Sequence, residues 1–162
     1  MSRVFGEDIE KIFIDRIKDA VNGLNAITTI IDSERGGKKL APAMKIRSEN
    51  IASGDSVLEF PCVNVYIEGS QVGSDGGITN DIEMMNDVYT VTVLISIKEE
   101  IQSKNNTILN RYEEAIKRCL HGYRTEQTTW ILNSSSQKGI GTDADYRKTC
   151  DRLKAQFEVR IN

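Results

Sequence analysis

Two runs of strict alternation constrain this chain more than anything else in it. Val88 to Ile97 (VYTVTVLISI) sets Tyr89, Val91, Val93, Ile95 and Ile97 against Val88, Thr90, Thr92, Leu94 and Ser96. A long strand from Tyr146 to Ile161 sets Leu153, Ala155, Phe157, Val159 and Ile161 against Arg152, Lys154, Gln156, Glu158 and Arg160. Successive side chains of a strand point to opposite faces, so each run demands a sheet with one buried face and one wetter face. Such faces belong to antiparallel sheets covered on one side.

The remaining elements fit around that sheet. Glu7 to Asn22 reads as a helix, with Ile9, Ile12, Phe13, Ile17, Ala20 and Val21 at spacings of three and four and Arg16 as the polar intruder. Glu7, Asp8 and Glu10 suit the positive end of its dipole, and Gly23 reads as a left-handed stop. Ala26 to Ile31 (AITTII) has strand composition. Val57 to Phe60 and Cys62 to Glu68 read as strand, with Val63, Val65 and Ile67 on one side. Ser103 to His121 reads as a second helix, carrying a stripe of Ile108, Leu109, Tyr112, Ala115, Ile116, Cys119 and Leu120. Lys117, Arg118 and His121 occupy its last turn, and Gly122 ends it. Thr128 to Leu132 reads as a short strand and Asn133 to Asp145 as a loop.

These elements predict an α+β domain: an antiparallel, in part mixed, sheet of about four main strands with two helices packed on one face. The chain of 162 residues suits one domain spanning 1–162. Two long polar connections interrupt it, at about 32–56 and 69–86. Connections of that length and polarity are expected to gain order from neighbouring molecules. The start, MSRVFGEDIEK, has no apolar signal core, and no apolar run approaches the length of a membrane span, so a soluble protein made in the cytoplasm is expected.

Catalytic chemistry is poorly supplied. The one histidine, His121, stands at a helix end, where capping is its expected role. The three cysteines, Cys62, Cys119 and Cys150, form no CxxC pair and read as reduced thiols. Asp143 and Asp145 stand two apart but lack the further oxygens of a calcium loop. Gly73, Gly76 and Gly77 make no phosphate-binding signature, and neither do Gly139 and Gly141. No catalytic residue, metal or cofactor is called for. Trp130 reads as core or interface.

The pattern resembles the tail terminator and tail completion proteins of long-tailed bacteriophages. The resemblance rests on the amphipathic first helix, on Phe60-Pro61-Cys62-Val63-Asn64-Val65-Tyr66-Ile67 and on Tyr89 to Ile97. It continues through Arg111 to Gly122 (RYEEAIKRCLHG), with its Leu-His pair, and the final strand RLKAQFEVRI. The stretch 32–56 departs from it. What the resemblance implies is a non-enzymatic virion subunit of the tail or neck. It would form a homo-oligomeric ring, commonly a hexamer, capping the tail tube and meeting the tail tube protein and the head-side connector protein. A head-tail connector or tube subunit is the structural alternative, and a small hydrolase or ligand-binding domain is the alternative of another class.

Candidate subunit contacts are Arg35, Lys38 and Lys39 in the first polar connection, the adaptable pair Met84 and Met85, and Arg147 with Lys148. The chain carries 21 Lys and Arg against 24 Asp and Glu, with the signs interleaved. That balance argues against sequence-independent grip on nucleic acid, which needs clustered cations to displace counterions.

Overall fold

The computed structural model describes residues 4–36, 45–47, 60–73, 86–98, 102–142 and 149–161. Along the chain these form α1 (Gly6–Lys18), α2 (Leu24–Glu34), β1 (Lys45–Arg47), β2 (Cys62–Gly73), β3 (Asn86–Ile97), α3 (Gln102–Leu120), β4 (Thr128–Thr142) and β5 (Thr149–Ile161). The strands make a mixed sheet in the order β1-β2-β3-β5-β4. Four strands are antiparallel and β1 runs parallel to β2 at one edge. The α+β class and the sheet are those the sequence predicts. The expected strand at Val57 to Phe60 and most of the two long connections lie outside the described residues.

The alternating runs behave as their periodicity demands. β3 is central, pairing Val65 with Val93 on one side and Val93 with Ala155, Val91 with Phe157 and Ile95 with Leu153 on the other. All of these side chains are fully buried. Ile9, Phe13 and Ile17 of α1 and the apolar stripe of α3 join them in one core, with Ile12 half-buried at its margin. Phe13 lies stacked on Trp130 with centroids 3.9 Å apart and meets Phe157 edge-on at 5.7 Å. Trp130 is therefore a core residue, and its indole N–H donates to Thr128 Oγ1 at 3.0 Å.

Three expectations are corrected. First, AITTII is helical. Leu24, Ile27, Thr28, Ile31 and Asp32 are buried at helical spacing, and α2 packs mainly on α3. Poor helix propensity costs tenths of a kcal/mol per β-branched residue, roughly, whereas burying one Ile gains about 1.5–3 kcal/mol. The Thr28 and Thr29 hydroxyls donate to the Asn25 carbonyl at 2.9 and 3.0 Å, which suits them to the helix.

Second, α1 ends at Lys18 rather than Asn22. The Asp19 carboxylate turns the chain by accepting from the Val21 and Asn22 N–H groups at 2.9 and 2.6 Å, and Val21 is exposed. Gly23 is not left-handed but has φ −78°, and it caps α2. A Cβ there would stand 2.2 Å from the Asp19 carbonyl oxygen, so close backbone approach explains the glycine.

Third, β4 runs on to Thr142 through the expected loop. β5 lies beside it and pairs with Ser134, Ser135, Ser136, Gln137 and Lys138. Register shifts follow Leu132 and Lys138. A backbone ladder accepts serine and glycine wherever a partner strand is in place, and bulges absorb the mismatch.

Candidate assembly surfaces

Two hairpins outrun the sheet at opposite ends. At one end β2 and β3 continue to the pair Gly73 and Asn86, while β3 and β5 part after Val88 and Arg160. At the other end β4 and β5 continue to the pairs Gly141 with Cys150 and Thr142 with Thr149, beyond the last β3–β5 pair of Ile97 with Asp151. The two-stranded parts comprise Val72, Gly73, Asn86 and Asp87 in one arm, and 139–142 with Thr149 and Cys150 in the other.

The face of the sheet away from the helices is polar. Glu68 is held by Lys154 at 2.7 Å and by the Gln156 amide at 2.5 Å. Hydrogen bonding to Lys154 is the main cause holding the Glu68 carboxyl below its ordinary range. Glu158 accepts from Arg160 Nε at 2.6 Å.

A cleft of about 490 Å³ separates α2 from α3, lined by Ile31, Glu34, Arg35, Asn110, Glu114 and Arg118 among others. Arg118 grips Glu34 with both Nη atoms at 2.9 and 3.0 Å and reaches Glu114 with Nε at 2.9 Å. The Glu34 carboxyl is held low chiefly by that hydrogen bonding, and the Arg118 guanidinium is pushed up by the same partners. Deeper in, Arg111 pairs with Asp32, whose side chain is only 4% exposed.

Of the residues proposed from sequence for subunit contact, only Arg35 is described. It is exposed at the C-terminal end of α2 and lines the cleft. Lys38, Lys39, Met84, Met85, Arg147 and Lys148 lie outside the described residues, as do Asp143 and Asp145. His121 does not cap its own helix, a further correction. Its Nδ1 accepts from the Leu132 N–H at 3.1 Å, tying α3 to β4, while Gly122 takes the left-handed conformation at φ +74°. Lys117 lies 3.2 Å from Glu113, and Arg118 bridges two helices as described, so both do more than complement a dipole. Arg16, the intruder on α1, donates to the Cys119 carbonyl at 3.0 Å and lies 4.4 Å over the Tyr123 ring.

Cys62 and Cys119 are buried thiols, and burial pushes Cys119 up to about 11, out of the range of a reactive thiolate. Among the described residues, no three His, Cys, Asp or Glu side chains are grouped to hold a metal ion, and no helix is long and apolar enough to cross a membrane.

No protein-family model matches the chain, and no curated protein matches it in sequence. Among solved structures, a chain from the virion of a native gene transfer agent particle overlays 66% of this chain and 75% of its own length. The identity is 14% and the TM-score 0.40, an overlap too small to transfer a fold or a role.

Proposed function

We propose that this chain is a single-domain, non-enzymatic structural subunit of a phage-type virion. In this reading it works in the tail or neck by closing into a ring on the tail tube below the head-side connector. The observation that carries the reading is the pair of hairpin arms at opposite ends of the sheet. A lone two-stranded hairpin is marginally stable in water. Two-stranded arms gain most when each lies on a neighbour, and contacts made at opposite ends of a subunit are head-to-tail, the kind that closes by rotation into a ring. The sequence resemblance to tail terminators names the same kind of assembly and supplies the hexamer as the expected count. Arg35, Lys38, Lys39, Met84, Met85, Arg147 and Lys148 are the proposed contact residues.

Mass measurement of the purified protein tests the ring, with a closed oligomer expected. A monomer at every concentration, alone and with tail tube protein, rejects it. Electron microscopy of particles made without the protein tests the position. Tails of uncontrolled length or heads without tails are expected, and normal particles reject the reading.

A further inference from the structure

The polar face of the sheet holds a cluster of hydrogen-bond donors with nothing to accept from them. Ser96 pairs directly across the ladder with Arg152 and, on its other side, with Cys62. Asn64 stands two residues beyond Cys62 on the same face. Ser96 and Asn64 are fully buried, and Ser96 Oγ, Asn64 Nδ2, Arg152 Nε and Arg152 Nη2 are all closed off from solvent without a hydrogen-bond partner. The Asn64 carbonyl oxygen already accepts from the Cys62 thiol at 3.6 Å, which leaves its amide N–H groups as the free end.

The two open positions on Arg152 are not arbitrary. Nε–H and the Nη2–H beside it form one edge of the planar guanidinium, the fork that receives both oxygens of a carboxylate. A half-buried guanidinium with that edge closed off and unpaired is costly, so the arrangement calls for an anion. Among the described residues, the acids on this face are engaged elsewhere: Glu68 with Lys154 and Gln156, and Glu158 with Arg160. Asp151 belongs to the opposite face, where it accepts from Asn105. One guanidinium charge joined by neutral amide and hydroxyl donors matches a single negative charge and an acceptor-only group.

We propose that Arg152, Ser96 and Asn64 form a receptor for one carboxylate. Arg152 takes both oxygens along its Nε–Nη2 edge, and Ser96 and Asn64 donate to the outward lone pairs. The carboxylate belongs to another molecule, because nothing among the described residues of this chain accepts from these groups. The inference stands on side-chain geometry and does not depend on the ring reading.

The test is the Arg152 Nε–H resonance in nitrogen-15-labelled protein, assigned through its own side-chain carbons and checked by its loss in Arg152→Lys. Sodium acetate is titrated against sodium chloride at matched ionic strength, and the pH is then lowered through the carboxylate range. A saturable shift with acetate but not chloride supports a receptor open to a carboxylate from outside. A resonance indifferent to acetate that moves as the pH falls through about 4, where carboxylates protonate, means that an acid of the chain itself fills the position and overturns the proposal. A resonance that responds to neither, or equally to chloride and acetate, overturns the proposal and leaves an adventitious ion or water as the occupant.

Discussion

Phe157 and Thr149 lie on the same strand, paired to the same neighbour, yet they belong to different regimes. Around Phe157 the ladder is covered by helix: Phe13 meets its ring edge-on and stacks in turn on Trp130, and Val91 and Leu132 flank Phe157 across the strands. Around Thr149 the ladder has one partner strand, a register shift and no β3 beside it. Backbone hydrogen bonds are the same in kind in both places and contribute modestly in net terms, about 0.5–1.5 kcal/mol each. What distinguishes the surroundings of Phe157 is therefore apolar burial. In the proposed ring, the core would fold the subunit and the arms would supply contact.

The largest expected effect comes from breaking the core side of that contrast. Phe157→Ala should lose about 3–5 kcal/mol through lost burial and a cavity. Thr142→Ala in the arm, where the ladder has one partner strand, should stay within about 0.5 kcal/mol. Equilibrium denaturation of the two variants decides the matter, and equal losses would erase the distinction.

A second contrast lies between the two ion pairs that join α2 to α3. Arg111→Met removes the cation paired with the buried Asp32 carboxylate and should lose about 3 kcal/mol. Arg118→Met removes an exposed bidentate pair and should leave the unfolding midpoint nearly unchanged. Similar midpoints for the two variants would show that depth in the α2–α3 seam is irrelevant.

Alkaline titration loosens the core from within. Burial raises the Cys119 thiol from an ordinary 9.0 to about 11, and burial with the Asp32 charge also raises Tyr112. A raised pKa means that the folded state holds its proton more tightly. The associated stability is complete below about pH 9 and is lost as the pH climbs through about 11. Unfolding midpoints measured across that window should fall, and less steeply in Cys119→Ala.

Hydrogen exchange then resolves the arms themselves. In isolated subunits, amides of 72–73, 86–87, 139–142 and 149–150 should exchange faster than those of 91–95 and 153–159. On assembly the arms should become protected while the core changes little. Arms as protected in isolation as the core would remove the motive for the ring.

The smallest expected effect is none at all. Labelled duplex DNA at about 150 mM salt should bind more weakly than roughly 100 µM, the weak end of non-specific binding. Micromolar binding that falls steeply with salt would favour a DNA-gripping connector over a passive conduit.

Much of this molecule is legible in its residues. The alternation of Val91 to Ile97 and of Leu153 to Ile161 dictated which face is core, and the spacing of Ile108 to Leu120 dictated the helix stripe, because periodicity maps directly onto burial. Gly122 likewise announced a left-handed helix end. The proposed contact residues drew on looser signals, charge and sulfur in polar stretches, and of them the described structure places only Arg35. The receptor at Arg152 was hidden in plain alternation: Asn64, Ser96 and Arg152 each read as ordinary residues of a wet strand face. One available signal was the pair Asn64 and Ser96, small polar residues at inner positions of otherwise apolar runs.

What the sequence settled by itself is whatever repeats along the chain: strand and helix period, buried face, charge balance. What only the tertiary structure decided is whatever depends on a neighbour distant in sequence. AITTII is a helix because α3 offers an apolar surface to its 3.6-residue stripe, which outweighs its β-branched preference. NSSSQKGIGT is a strand because β5 lies alongside to satisfy its N–H and C=O groups. Gly23 is glycine because the Asp19 carbonyl crowds the place where a Cβ would go. In each case local propensity is worth tenths of a kcal/mol, roughly, and a long-range contact is worth more.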